Sequence, residues 1–190
     1  MRRLLLVLLM TLPTPLHAQG GPPGPPGPPL SLRFGERVYE RRWSGPHQHE
    51  FTPPGQEDLS RWTDMVTINT YPGVRDGEGL AEVANQVLAT YTRNDGRVLR
   101  TASVPRSAAG PAEHLIVALF PRPESIEAVF ARFRLADGRG MAVIVSHRIH
   151  GRAAGAAMQA WLETNGAAVE RRLMALQDIP SPRLLEPGGP

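Results

Sequence analysis

Two histidines separated by one residue are the clearest candidates for chemistry in this sequence. His47 and His49 lie in the run His-Gln-His-Glu at positions 47–50. Side chains two residues apart on a β-strand point to the same face, so both imidazoles could bind one metal ion. Zinc and copper both accept imidazole nitrogen as a ligand. The pair therefore predicts a zinc or copper site, provided that a third ligand comes from elsewhere in the chain.

Candidates for that third ligand follow later in the sequence. His147 and His150 lie near the end of the last predicted strand, and Glu113 and His114 lie at the start of another. They could complete the site only if those strand ends converge on the first histidine pair. The alternative is that this pair lies on a solvated strand face, with its imidazoles hydrogen-bonded to neighbouring backbone or acidic groups.

Two arginines beside the second histidine pair are candidates for anion binding. Arg148 and Arg152 could form a small cationic patch for an anion or an acidic partner. A guanidinium group suits this role because it binds carboxylate and phosphate through two parallel hydrogen bonds. The alternative is that both arginines pair with acidic residues on the surface, since exposed ion pairs are common.

The motifs of common enzyme classes are absent from the sequence. There is no Gly-x-Ser-x-Gly nucleophile elbow, no Gly-x-x-x-x-Gly-Lys phosphate loop and no His-Glu-x-x-His metal motif. Ser146 and His147 are adjacent, so on a strand they would point to opposite faces and could not act as nucleophile and base. The chain has no cysteine, which excludes disulfides and thiolate catalysis. We expect a noncatalytic binding or interaction domain of unknown ligand, with a histidine-based metal-binding protein and a hydrolase of unrecognised site as alternatives.

The N-terminal residues have the pattern of an export signal. Arg2 and Arg3 precede an uncharged apolar run at 4–12, and Ala18 offers a small residue for cleavage. A cut after Ala18 makes residues 1–18 the signal peptide and directs the protein to the periplasm or the exterior. The apolar run is too short to cross a bilayer, which takes about 20 residues as a helix. We expect no transmembrane segment in the mature chain.

Proline-rich segments bound the expected domain at both ends. Residues 21–29 are three Gly-Pro-Pro triplets. A collagen triple helix needs many more triplets, so these predict a polyproline II spacer. Proline and glycine are also dense at 180–190, which predicts a disordered tail. The expected organisation is a signal peptide at 1–18, a spacer at 19–30, a single domain at 31–179 and a tail at 180–190.

The charge of the chain does not favour nucleic acid as a partner. All 21 basic residues are arginine, and 18 residues are acidic, which gives a formal net charge of +3. Removal of Arg2 and Arg3 with the signal leaves a net charge of +1, spread along the chain. Binding by counterion release needs a denser basic patch. We expect a monomeric domain whose partner is a protein or a small ligand.

Short alternating apolar runs predict a sheet that positions these candidates. Strands are expected at 38–43, 48–51, 65–71, 98–104, 114–120, 126–135 and 141–149. A helix capped by Asp76 is expected to run to the Asn-Asp-Gly stop at 94–96. A terminal helical region from Ala153 is expected to break and restart with Asn165 as N-cap. The predicted fold class is α+β, a mainly antiparallel sheet of six to seven strands flanked by two helical regions.

Several segments resemble those of an uncharacterised group of exported proteobacterial proteins. They are the stretch from WSGPH at 43–47 to Tyr71-Pro72, PAEHL at 111–115, and Trp161-Leu162 with Asn165-Gly166 and Leu173-Met174. The resemblance brings no catalytic motif with it. The order of strands and helices is also similar to that of PsbP-like and DcrB-like α/β/α sandwiches. That similarity implies helices packed on a sheet and a role in binding or assembly, although a fold alone does not specify a function.

Overall fold

The computed structural model describes residues 30–108 and 110–185 of the chain. The expected signal peptide at 1–18, the spacer before Leu30 and the tail beyond residue 185 lie outside the described residues. Within the two described ranges, no helix combines the length and the apolar character that a membrane crossing requires.

The described residues contain eight strands, which form one antiparallel sheet. The strands are β1 (Ser31–Phe34), β2 (Arg37–Ser44), β3 (Gln48–Thr52), β4 (Asp64–Tyr71), β5 (Arg97–Val104), β6 (Glu113–Arg122), β7 (Ser125–Ala136) and β8 (Arg139–His150). Their order across the sheet is β1-β2-β3-β4-β8-β7-β6-β5. Strands β1–β4 therefore form one meander and β5–β8 form a second, and the two meet where β4 pairs with β8. The predicted α+β class with a mainly antiparallel sheet is confirmed.

The prediction of six to seven strands is wrong, because β1 adds an eighth at the edge of the sheet. Its four residues contain only two apolar side chains, Leu32 and Phe34, which is too short a run for periodicity to identify. Leu32 pairs with Tyr39 of β2, and the side chains of Leu32, Phe34 and Tyr39 are all buried. Pairing with β2 and burial, rather than the local pattern, make this segment a strand.

Helix α1 (Gly77–Arg93) packs on one face of the sheet, which we call the α1 face. Leu80, Ala84 and Val87 form its buried stripe, which contacts the sheet around Phe133. The helix lies over β5, β6 and β7 and leaves the α1 face of β2, β3 and β4 uncovered.

The predicted ends of α1 are confirmed. The carboxylate of Asp76 accepts a hydrogen bond from the backbone N–H of Gly79 at 2.8 Å, as an N-cap does. At the other end Asn94 is the C-cap and Asp95 adopts a positive φ of 63°. The Asn-Asp-Gly sequence thus stops the helix at the expected place.

The C-terminal helices cover the opposite face, where the larger core lies. Helix α2 (Ala154–Trp161) and helix α3 (Ala167–Ala175) are joined by a π-helical turn at Leu162–Gly166. Met158 of α2 and Leu173 of α3 are fully buried against this face. Helices thus cover an apolar core on each face of the sheet.

The predicted break and restart at Asn165 is wrong. The helical backbone continues through the π-helical turn, and Asn165 is not an N-cap. Its Nδ2 instead donates to the carbonyl of Trp161 at 3.0 Å, a contact made within a helix. A π-helical turn accommodates one extra residue, so Asn-Gly interrupts the α-helical pattern here without ending the helix.

The packed chain extends beyond the expected domain boundary at residue 179. Pro182–Leu185 forms a short helix, α4, and Leu185 is buried in the larger core. Ser181 also donates a hydrogen bond to Asp137 in the β7–β8 turn. Residues 180–185 of the expected tail are therefore packed on the domain.

Candidate functional site

The structure places the two predicted histidine pairs at opposite ends of β4. The carbonyl of His47 accepts a hydrogen bond from Thr70 at one end, whereas His147 pairs with Asp64 at the other. Six residues of strand correspond to about 20 Å. The strand ends do not converge, and no group of three or more metal-ligating side chains lies together in the described residues. Zinc or copper binding by His47 with His49 stays a prediction that needs another source of ligands.

His49 is a buried residue of β3, opposite Ser44 of the neighbouring strand β2. Its Nδ1 hydrogen-bonds Ser44 Oγ at 3.0 Å, and its Nε2 is buried with no hydrogen-bond partner. Burial, followed by the charges of Arg41 and His47, lowers the pKa of His49. The lowered pKa favours the neutral ring, but His49 is only 1% exposed, so the ring is not open to an ion from solvent.

His147 belongs to a cluster that fixes α2 to the sheet. Its Nδ1 donates to Asp64 Oδ1 at 2.9 Å, and its ring stacks on Trp161 with centroids 4.1 Å apart. Arg37 donates to the other oxygen of Asp64 at 2.8 Å. Burial alone would raise the pKa of Asp64, but the hydrogen bond and charge of His147 and the charge of Arg37 hold it below its usual value. His150 bonds the carbonyl of Trp62 at 3.0 Å and takes no part in this cluster.

The two arginines expected to bind an anion are not brought together by any shared contact. Arg148 donates to Glu127 at 2.6 Å and lies over the ring of Trp62 at 3.8 Å from the guanidinium carbon. Arg152 is exposed in the turn before α2. Arg148 is thus occupied by an acid and an aromatic ring, and anion binding by this pair stays a prediction. The remaining candidate histidine, His114, bonds Ser103 at 2.9 Å at the far side of the sheet.

A groove on the uncovered part of the α1 face is the strongest candidate site. It has a volume of about 580 Å³ and runs between α1 and the first strands of the sheet. Val83 and Val87 form one wall with the more polar Gln86 and Thr90 of the same helix. The groove exists because α1 lies over the second meander only.

Trp43 forms the opposite wall because of a β-bulge. The register of β2 against β3 shifts between Arg41 and Trp43, so that Arg41 pairs with Phe51 and Trp43 pairs with Glu50. A bulge reverses the alternation of side chains beyond it. Trp43 therefore points to the α1 face, and 41% of its surface is exposed. Gly45 lies directly under its ring and, lacking a Cβ, allows the close approach.

The floor of the groove carries a polar group without a partner. Asn69 Oδ1 is buried and accepts no hydrogen bond. The amide of Asn69 also hydrogen-bonds the Tyr71 hydroxyl, although burial dominates and raises the pKa of Tyr71 to about 12. An unsatisfied buried oxygen costs about 1–3 kcal/mol. Because this oxygen is buried, a ligand in the groove does not reach it unless the side chain moves.

Next to this floor, the sheet holds a carboxyl group with reduced acidity. Glu50 accepts a hydrogen bond from Gln48 at 3.0 Å, and Gln48 itself lines the groove. Burial is the main cause that raises the pKa of Glu50, and nearby Glu127 raises it further. The side chain opposite Trp43 is thus less charged than an exposed glutamate in acidic solution. These surroundings suit an apolar ligand better than a strongly charged one.

Comparisons with known proteins find similarity to solved structures only. No family model matches the chain, and no curated protein matches it. The chain is similar to the crystal structure of PA94 from Pseudomonas aeruginosa, a protein of unknown function, at 14% identity and a TM-score of 0.45. The similarity covers 82% of this chain and 100% of that one. At this level the neighbour contributes nothing to the function of this chain.

Apart from His47, which lines the groove, the groove residues are not candidates from the sequence. A tryptophan beside a Ser-Gly-Pro turn is consistent with an ordinary core residue, and only the bulge turns Trp43 outward. The one local signal is the sequence of four residues Arg-Arg-Trp-Ser at 41–44, whose polar–polar–apolar order breaks strict alternation. Asn69 is a second local signal, because it is an amide in a strand that otherwise contains mainly apolar residues and threonine.

Proposed function

We propose that this chain is an exported, noncatalytic binding domain whose ligand occupies the groove beside Trp43. The observation that carries the proposal is the half-exposed indole facing an apolar helix wall across a cleft of about 580 Å³. Pockets for small molecules have volumes of about 300–1,000 Å³ and apolar linings with a few polar groups. The ligand class that this groove suits is a small, largely apolar molecule.

The lining supports this ligand class in two ways. Trp43 is a large aromatic surface on a strand, the residue type that most often dominates binding energy. Val83 and Val87 supply apolar contact from the opposite wall.

Export and the finer fold assignment belong to the same proposal. A signal peptide at 1–18 would deliver the domain to the periplasm or the exterior. Helices on both faces of an antiparallel sheet agree with the layering of PsbP-like and DcrB-like sandwiches, which serve as binding modules. We propose this fold family on the layering alone, and the ligand on the groove.

A dye titration tests the groove. N-phenyl-1-naphthylamine is a neutral aromatic molecule with one N–H, and its fluorescence rises in apolar surroundings. We expect it to bind the chain from Gln19 onward and Trp43→Ala to weaken binding about tenfold, which corresponds to about 1.4 kcal/mol. Leu99→Ala is the matched control, because Leu99 is 50% exposed on β5, away from the groove. Equal loss in both variants, or no loss in Trp43→Ala, would contradict the proposal.

A further inference from the structure

The register of β1 directs the preceding chain toward the groove. The carbonyl of Leu30 accepts a hydrogen bond from Arg41 at 2.9 Å, and Ser31 pairs with Glu40. Because β1 and β2 are antiparallel, each further residue would advance one position along β2 if this register continued before Leu30. Two such residues would reach the level of Trp43. Leu30 is therefore the described residue from which the preceding chain can approach this wall of the groove.

The segment that precedes Leu30 has the length to cross the groove. Residues 21–29 are the three Gly-Pro-Pro triplets. In polyproline II conformation nine residues span about 28 Å, at about 3.1 Å per residue. Trp43 on β2 and Asn69 on β4 are two strand spacings apart, about 10 Å. The triplets could therefore leave the sheet edge, pass Trp43 and reach the α1 wall.

The groove also has the chemistry that recognises such a segment. Proline-rich chains bind in grooves lined by aromatic rings, and their polyproline II conformation is largely formed before binding. Trp43 and Tyr71 supply the rings, with Pro46 and Pro72 beside them. Proline carbonyls are acceptors, which the indole N–H of Trp43 can satisfy.

We infer that the Gly-Pro-Pro segment at 21–29 docks in the groove of its own chain and competes with the ligand. This inference rests on the proposed function, because it makes the segment an internal occupant of the proposed binding site. A tethered segment acts at an effective concentration in the millimolar range, so even weak docking occupies the groove. An external ligand must displace it, and loss of the segment opens the site.

A proline-replacement variant tests the inference with the length of the chain unchanged. In the chain from Gln19 onward, the six prolines of the triplets are replaced by serine: Pro22, Pro23, Pro25, Pro26, Pro28 and Pro29. The indole N–H signal of Trp43, assigned in a ¹⁵N–¹H spectrum by its loss in Trp43→Phe, is expected to move on replacement. N-phenyl-1-naphthylamine is expected to bind the replaced chain about three- to tenfold more tightly. Replacement of Pro187 and Pro190 by serine is the control and is expected to change neither.

The outcomes separate this inference from the proposed function. An unchanged Trp43 signal and equal dye affinity in the replaced chain would overturn the inference, while dye binding that depends on Trp43 would still support the groove. A moved Trp43 signal without dye binding would support docking of the segment and contradict the small-ligand proposal. A signal that changes with protein concentration would assign the segment of a second copy to the groove and overturn docking within one chain.

Discussion

The ring of Trp43 lies directly on the backbone of Gly45. A Cβ at residue 45 would come within 2.7 Å of Trp43 Cη2, closer than such atoms approach in proteins. Because Trp43 is half exposed, its ring would move and the backbone would not. The absence of a Cβ at Gly45 therefore fixes the position of the Trp43 ring, which forms this wall of the groove.

Gly45→Ala is expected to weaken binding with little loss of stability. The alanine displaces the indole, and we expect the affinity for N-phenyl-1-naphthylamine to fall about three- to tenfold, which corresponds to roughly 0.7–1.4 kcal/mol. The melting temperature should change little, since Trp43 is not in either core. Gly110→Ala is the control, because a Cβ there meets nothing within 4 Å. Unchanged affinity in Gly45→Ala would mean that the indole does not contact the dye.

Gly140→Ala is expected to destabilise the end of the groove. A Cβ at residue 140 would lie 2.8 Å from Val74 and 3.2 Å from Tyr71, in a fully packed environment. Overpacking of this kind costs about 1–3 kcal/mol, measured as a lower free energy of unfolding in urea. Val74→Gly removes both Val74 atoms that would lie 2.8 Å away, Cβ and Cγ1, so the double variant should be more stable than the sum of the two single changes predicts. Additive losses would show that Val74 is not the obstacle.

Loss of the ion pair between Arg132 and Glu113 is expected to lower the free energy of unfolding more than loss of any other ion pair in the described residues. Arg132 is 2% exposed and donates to both oxygens of Glu113, at 2.7 and 2.8 Å. It also donates to the carbonyls of Leu173 and Leu176 at the end of α3. Glu113→Ala leaves a buried charge unpaired and should cost about 3–5 kcal/mol.

The control for that prediction is an exposed ion pair. Glu170 lies 3.4 Å from Arg100, whose side chain is 60% exposed. Glu170→Ala should cost less than about 1 kcal/mol, because water screens the pair. Equal losses for the two variants, measured by urea unfolding, would contradict the role given to Arg132.

The stability that Asp64 contributes is expected to depend on pH. Its pKa is lowered in the folded protein, so its contribution is complete above the unfolded pKa of about 3.9 and is lost as the pH falls through the folded value. Asp64→Asn should therefore cost about 1–3 kcal/mol at pH 7, and the difference should shrink below about pH 4. Exposed Asp178→Asn should cost little at either pH. A difference for Asp64→Asn that stays constant from pH 7 to pH 3 would rule out this linkage.

Local patterns of the sequence determine much of this fold. Each run predicted as a strand is a strand, and Asp76 begins α1 as its side-chain chemistry indicates. The failures have tertiary causes. Ser31–Phe34 is a strand only because β2 offers it a partner, and Asn165 continues a helix that packing holds in place.

The candidate site is less accessible to sequence reasoning than the fold. The histidine pattern at 47–50 is visible at once, yet along the sheet His47 lies about 20 Å and His49 about 13 Å from His147. The groove depends on the bulge before Trp43 and on which strands α1 covers. Neither property is a feature of any short segment, since both arise when the two meanders join.

The most direct test of the groove is a ¹⁵N–¹H spectrum of the three tryptophan side chains during addition of N-phenyl-1-naphthylamine. The indole signal of Trp43 is expected to shift progressively to saturation, with those of Trp62 and Trp161 unmoved because both rings are held in other contacts. The same titration of Trp43→Ala should give no saturable change in the remaining signals. A Trp43 signal that stays fixed while the dye binds would contradict the account.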